Sequence, residues 1–309
     1  MHILTTIIPI FFVVVVGWGI QRHGFLPAAF VEPANRLVYY VAIPAMMFQA
    51  IIKSDLTAWF HPGLILLTLL AAVITYAAAW LICITTRIPR SATGTFIQVS
   101  GHGNLGYIGL AVAFYYMGSE GLAHASVIAG FLMILQNILS IVALQAYAPH
   151  NGTLHQGSLH QMAFKLLRNP VIVSVLAGMA FSILAIPLPV VISRTLTILS
   201  GMALPMALLV IGASLSFQHM KAQILMVVGA TAIKLLLLPG VGWLLFYIFG
   251  LAGSDTLPAL ILLASPTATI TYIMSREMQG DTDLASATIS ASTLASALTY
   301  IAWLQVGTG

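Results

Sequence analysis

The chain has 309 residues, 60% of them hydrophobic and only 6% charged, with 11 Lys and Arg against 7 Asp and Glu for a formal net charge of +4. Soluble domains carry about 25% charged residues, so this composition excludes an ordinary globular protein and points to an integral membrane protein in a lipid bilayer. The positive balance does not indicate nucleic acid, because the basic residues are scattered rather than gathered on one face, and the single Cys83 cannot form an intrachain disulfide.

Crossing a bilayer takes about 20 mostly apolar residues, and ten stretches qualify: roughly 3 to 20, 36 to 52, 63 to 86, 95 to 117, 122 to 147, 169 to 187, 194 to 216, 222 to 250, 256 to 277 and 284 to 306. Their length, and their richness in Leu, Ala and Val, predict an all-α membrane protein rather than a barrel of short alternating strands. The first stretch lacks a positive n-region and an A-x-A cleavage site, so it reads as a membrane helix and not a signal peptide.

Orientation follows from Lys and Arg in the short connections. With the N-terminus outside, Arg22, Arg36, Arg87, Arg90, Lys165, Arg168, Lys221 and Arg276 fall inside and only Lys53 and Arg194 outside. The expectation is a multi-pass protein of the cell (inner) membrane with its N-terminus out. A longer connection, 148 to 168, is then cytoplasmic and divides the chain into residues 1–147 and 169–309. Its His150, His155 and His160 have a spacing of five with no Cys or carboxylate among them, which fits a solvated loop better than a metal site.

The two halves repeat. Leu122-Ala123-His124-Ala125-Ser126-Val127 aligns with Leu284-Ala285-Ser286-Ala287-Thr288-Ile289, Tyr107-Ile108 with Tyr272-Ile273, and Ile43-Pro44-Ala45-Met46 with Leu204-Pro205-Met206-Ala207. All share an offset of about 161 to 165. Five helices per repeat turn the second copy upside down, which predicts ten transmembrane helices as a 5+5 inverted repeat.

The fourth stretch is interrupted at Gly101-His102-Gly103-Asn104-Leu105-Gly106 and the ninth at Ser265-Pro266-Thr267-Ala268-Thr269, in matching positions of the two halves. A helix opened inside lipid frees backbone polar groups, which is tolerated only where protein or a water-filled cavity satisfies them. Paired breaks at mid-depth therefore mark a substrate site. Gly103, Asn104 and Gly106 favour an opened turn; close helix packing alone does not call for His102 and Asn104. Pro266 removes a backbone donor, while Ser265, Thr267 and Thr269 offer hydroxyls; a plain proline kink is the alternative.

Asn137 lies on a stripe with Ser126, Gly130, Met133 and Ser140, and the tenth stretch repeats the intervals as Ser286, Ser290, Thr293, Ala297 and Tyr300. Such stripes serve tight packing, but Asn137 is too polar for that alone. Lys234 sits about 18 Å into the eighth stretch at 1.5 Å per residue, where a charged lysine costs about 2.5–3.5 kcal/mol even on insertion scales. With no Asp or Glu deep in any stretch, Lys234 is available to an anion or caps carbonyls freed by a break. His102, the one histidine far from a segment end, is a candidate proton carrier or a satisfied structural histidine.

Asn35-Arg36-Leu37-Val38-Tyr39-Tyr40-Val41-Ala42-Ile43-Pro44, Asn104-Leu105-Gly106-Tyr107-Ile108-Gly109-Leu110, Lys234-Leu235-Leu236-Leu237-Leu238-Pro239 and Ser265-Pro266-Thr267 together resemble the auxin efflux carrier family of secondary transporters. The resemblance implies crossing broken helices 4 and 9, a scaffold and a moving transport domain, and a substrate near Asn104, Asn137 and the Ser265–Thr267 turn. Ala111 stands where many members have proline, so the fourth break rests on its glycines. The long hydrophilic central loop of the plant carriers is missing, which makes bacterial members the closer comparison.

The resulting expectation is a permease of a small organic anion such as a carboxylate, working by alternating access. Its site would be Gly103, Asn104, Gly106, Asn137, Lys234, Ser265, Pro266, Thr267 and Thr269, with His102 for proton coupling. No cofactor or nucleotide motif is evident; the coupling ion would be H+ or Na+, and a homodimer is one state open to the chain. A sodium-coupled carrier of the bile acid symporter type is the first alternative. An intramembrane enzyme would need paired aspartates, His-Glu-x-x-His or a serine with a positioned base, none of which is evident, and a receptor would leave the paired breaks unexplained.

Overall fold

The computed structural model describes residues 2–54, 60–148, 169–218, 220–251 and 253–308, so His150, His155, His160 and nearly all of the connection 148 to 168 lie outside the described residues. Among those described the protein is all helical. The helices are α1 (His2–Arg22), α2 (Ala28–Leu37), α3 (Ile43–Lys53), α4 (Pro62–Thr86), α5 (Arg90–Gly101), α6 (Leu110–Tyr147), α7 (Pro170–Ile183), α8 (Val190–Gly201), α9 (Ala203–Ala213), α10 (Ile224–Ala232), α11 (Leu238–Ile248), α12 (Leu257–Leu263), α13 (Ile270–Glu277) and α14 (Thr282–Thr308). Three π-turns, Val38–Ala42, Leu105–Gly109 and Ile233–Leu237, join α2 to α3, lead into α6, and join α10 to α11. Among the described residues, seven continuous runs are long and apolar enough to cross a membrane.

Proline and short polar residues start these helices, as capping chemistry requires. Asn169 accepts from the amides of Val171 and Ile172 ahead of Pro170, and Asp281 accepts from Leu284 at the head of α14. The fourth and fifth stretches, separate in the sequence, run together through α6. Gly118 breaks that run at φ 75°, a left-handed conformation that glycine adopts without a Cβ penalty.

Apolar side chains cover the outside: Val191 and Ile198 on α8 are 76% exposed, and no residue of that helix is buried. In lipid the hydrophobic effect does not drive helices together, so close backbone approach matters more. α1 and α9 pack in that way, since a Cβ on Gly17 would overlap the Leu209 backbone and one on Gly212 the Val14 backbone.

Two interruptions of regular helix lie opposite one another. His102–Asn104 separates α5 from the turn before α6, and residues 264–269 separate α12 from α13. Gly103 and Thr267 form an antiparallel bridge. Asn104 N donates to Pro266 O at 2.7 Å, and Ala268 N donates to His102 O at 3.0 Å.

Pro239 shows how such interruptions are repaired. It has no N–H to give to Leu235 O, the acceptor four residues back, and the Trp303 indole of α14 donates there instead at 2.8 Å. Trp303→Phe should therefore lower thermal stability in detergent by about 1–3 kcal/mol, the cost of stranding a buried acceptor. Adding Pro239→Ala, which restores a backbone donor, should recover part of that loss. Equal effects of Pro239→Ala with and without Trp303 would contradict the repair.

Candidate functional site

The paired breaks can be read as an accounting of backbone groups, since each N–H and C=O released from a helix must find a partner in a dry interior. On the α12 side Pro266 supplies no N–H, and Leu262 O is taken by the Ser265 hydroxyl at 2.7 Å. Thr267 N, which a continuous helix would direct to Leu263 O, donates to Ser292 Oγ of α14 at 3.1 Å. Leu263 O receives the Lys234 ammonium at 2.9 Å. On the α5 side the side-chain amide of Gln136 spans the break, with Nε2 donating to Gly101 O and Oε1 accepting from Gly103 N, each at 3.2 Å. A further tie joins the two breaks, from the Thr267 hydroxyl to Val99 O at 2.9 Å.

Close packing at the centre depends on Gly103. A Cβ there would stand 2.5 Å from Ser265 Oγ and 3.3 Å from Lys234 Cε, so any side chain would push the breaks and the lysine apart. Lys234, in the turn between α10 and α11, is fully buried, and its carbonyl cap is its one hydrogen bond among the described residues. It is also the one buried Lys, Arg, Asp or Glu among them. A lone buried charge without a counter-ion is costly, and one carbonyl leaves two of its three donors unused. Asn104, 5% exposed, accepts from Tyr107 N through Oδ1, while its Nδ2 has no partner among the described residues.

The structure thus brings together His102, Gly103, Asn104, Lys234, Ser265, Pro266 and Thr267. It does not bring in the others. Gly106 faces Met133 and Ile43 from within its π-turn, Thr269 sits at the head of α13 with no side-chain hydrogen bond to that helix end, and half-buried Asn137 bonds back to Met133 O on its own helix. Gln136, one residue earlier and absent from the sequence reading, is the amide of α6 that spans the break. Its signal was available as a second amide in an apolar run, but period alone does not say which of two adjacent amides faces inward. Ser292 was missed too, because a serine in a serine-rich helix carries no mark.

His102 Nδ1 lies 2.8 Å from Ser140 Oγ, which lies 2.9 Å from the Tyr76 hydroxyl. A cleft of about 250 Å³ opens elsewhere, near the starts of α4 and α12, lined by His61, His124, Asp255 and Thr256 among apolar neighbours; it includes no residue of the paired breaks.

A family model described as membrane transport protein matches residues 2–304. A protein of Rhizobium meliloti named "Putative malonate transporter" is 26% identical over 97% of this chain and 94% of its own length. A protein of Methanothermobacter thermautotrophicus named as an uncharacterized transporter is 22% identical over 97% of each chain.

Gln136→Leu should strand Gly101 O and Gly103 N, at about 1–3 kcal/mol for each group, and lower the unfolding temperature well below that of Asn137→Leu. Equal losses for the two variants, measured side by side in detergent, would remove Gln136 from its place at the break.

Proposed function

The chain belongs to the membrane transport protein family, the auxin efflux carrier family that its motifs resemble, and on that premise we propose that it is a secondary transporter of a small organic anion. The observation that carries the reading is that, among the described residues, the paired breaks hold a buried lysine with no carboxylate partner and a buried amide group with no partner. Both groups donate hydrogen bonds, and one is cationic, so the ligand they suit is an anion rich in acceptors. A carboxylate satisfies Lys234 Nζ and Asn104 Nδ2 at once through its two oxygens. A malonate-class dicarboxylate is the first substrate to test, given the name of the Rhizobium meliloti relative.

In this reading the breaks are crossing helices 4 and 9 of a ten-helix inverted repeat. The antiparallel pairing supports it: Gly103 and Thr267 are 164 residues apart, within the offset of 161 to 165 that relates the two halves in sequence. Gly103, Ser265, Pro266 and Thr267 shape the centre, while Gly106, Asn137 and Thr269 stand outside it. Alternating access moves one group of helices past the other around this fixed centre, with the N-terminus outside and the chain in the cell membrane. His102 carries a coupling proton; Na+ held by freed carbonyls is the alternative, though Gly101 O, His102 O, Leu262 O, Leu263 O and Pro266 O already accept from donors. No bond-making chemistry is assigned to the site.

Reconstituted into liposomes, the protein should accumulate radiolabelled malonate or a related carboxylate under an imposed proton gradient. Ligand binding adds about 2.7 kcal/mol at 100 times Kd, so malonate should raise the unfolding temperature of the wild type. Lys234→Ala and Asn104→Ala should lose most of that rise. Variants that respond as the wild type does would show that the anion binds elsewhere.

A further inference from the structure

His102 is 4% exposed, and its ring is held from one side. Nδ1 contacts Ser140 Oγ, Ser140 Oγ contacts the Tyr76 hydroxyl, and that hydroxyl donates to the Gln136 carbonyl at 3.4 Å. Ser140 and Tyr76 are themselves buried, and the Tyr76 ring lies where a Cβ on Gly101 would fall, so the chain of hydroxyls is packed against the break. Nε2 makes no hydrogen bond among the described residues.

Each hydroxyl has one hydrogen to give, and a backbone carbonyl only accepts. The Tyr76–Ser140 and Ser140–His102 contacts can each run either way, and the Gln136 carbonyl at the far end can only accept. In the direction that ends on that carbonyl, Tyr76 gives its hydrogen to Gln136 O, Ser140 gives its hydrogen to the Tyr76 oxygen, and the imidazole gives one to Ser140. We propose that Tyr76 and Ser140 are positioning residues that hold His102 in its Nδ1–H tautomer, leaving the Nε2 lone pair as the base that takes up the proton accompanying the anion. This rests on the transporter reading above.

The proton balance is simple. A proton from the medium adds to Nε2 and gives an imidazolium with N–H on both nitrogens; on the other side of the membrane the same proton leaves Nε2 for water. Nδ1–H and the two hydroxyls keep their hydrogens throughout, so the cycle needs no rearrangement of the chain. Among the described residues the ionisable groups beside His102 are Tyr76 from α4 and Lys234 from the turn between α10 and α11, whose Cε lies 3.3 Å from where a Cβ on the adjacent Gly103 would stand. The neighbours from α6 and residues 264–269, Gln136, Ser140, Ser265 and Thr267, do not titrate in this range. Two cations in one dry site repel strongly, and an anion between them removes that repulsion. Proton and carboxylate are therefore taken up together.

Tyr76→Phe tests the chain. Without the phenol, the hydrogen of Ser140 turns to Nδ1, which moves the imidazole hydrogen to Nε2 and blocks the base. In liposomes with radiolabelled malonate, gradient-driven uptake should fall about tenfold or more, while malonate–malonate exchange, which needs no net proton movement, stays within about threefold of wild type. The ¹⁵N spectrum of histidine-labelled protein, assigned by the signal lost in His102→Asn, should show neutral His102 with its hydrogen on Nδ1 in the wild type and on Nε2 in Tyr76→Phe.

The wild-type spectrum carries the test even if the variant fails to fold. A wild-type hydrogen on Nε2, Tyr76→Phe with undiminished gradient-driven uptake, equal loss of uptake and exchange in a folded Tyr76→Phe, or accumulation driven by Na+ alone would each overturn the proposal. Absence of any carboxylate flux in the wild type would instead overturn the transporter reading, and it leaves the tautomer result to stand by itself.

Discussion

Backbone groups freed inside a membrane have no water to turn to, and that constraint organises the centre of this molecule. Two helical runs open opposite one another, and the donors and acceptors they release are answered from neighbouring helices: Gln136 from α6, Ser292 from α14 and Lys234 from the α10–α11 turn. The breaks also answer one another through two backbone hydrogen bonds. Open backbone at this depth is stable because protein surrounds it. The same mutual satisfaction makes the centre a junction, since any movement of one break must exchange partners with three other segments.

Electrostatics adds a second demand. Lys234 is taken out of water entirely, and a carbonyl dipole offsets only part of the cost of that burial. An ammonium and an amide that both keep unused donors at the same breaks are an unfinished arrangement, which the proposed anion would complete. This is the physical link between the fold and the proposed transport: the empty carrier is held together by a lysine that is better satisfied when substrate arrives. In the same proposal the hydroxyl chain beside His102 matches the charge of the anion with a proton.

Much of this was legible from particular residues. Pro266 and the glycines around Asn104 announced the breaks, because each removes a donor or a side chain from a helix. Lys234 announced a polar interior, because no snorkelling lysine reaches so far. Gln136, beside Asn137, was passed over. Helical period places 136 and 137 about 100° apart on a helix, and the apolar surroundings of both are alike, so only the position of the neighbouring break shows that Gln136 faces it. Tyr76 and Ser292 were likewise invisible, as a tyrosine or serine in a helix has many uses and its partner lies some 60 or 25 residues away in the chain.

The sequence by itself determined that the protein is a helical membrane protein of one transporter family, and where its helices open. Those properties are local: they follow from runs of apolar residues, from proline, and from motifs read within a few residues of one another. Tertiary structure alone decided which groups meet at the openings. Pairing Gly103 with Thr267, placing Lys234 on Leu263 O and aiming the Ser140–Tyr76 chain at His102 all depend on packing between helices far apart in sequence. No period or motif encodes which face of one helix will meet which face of another.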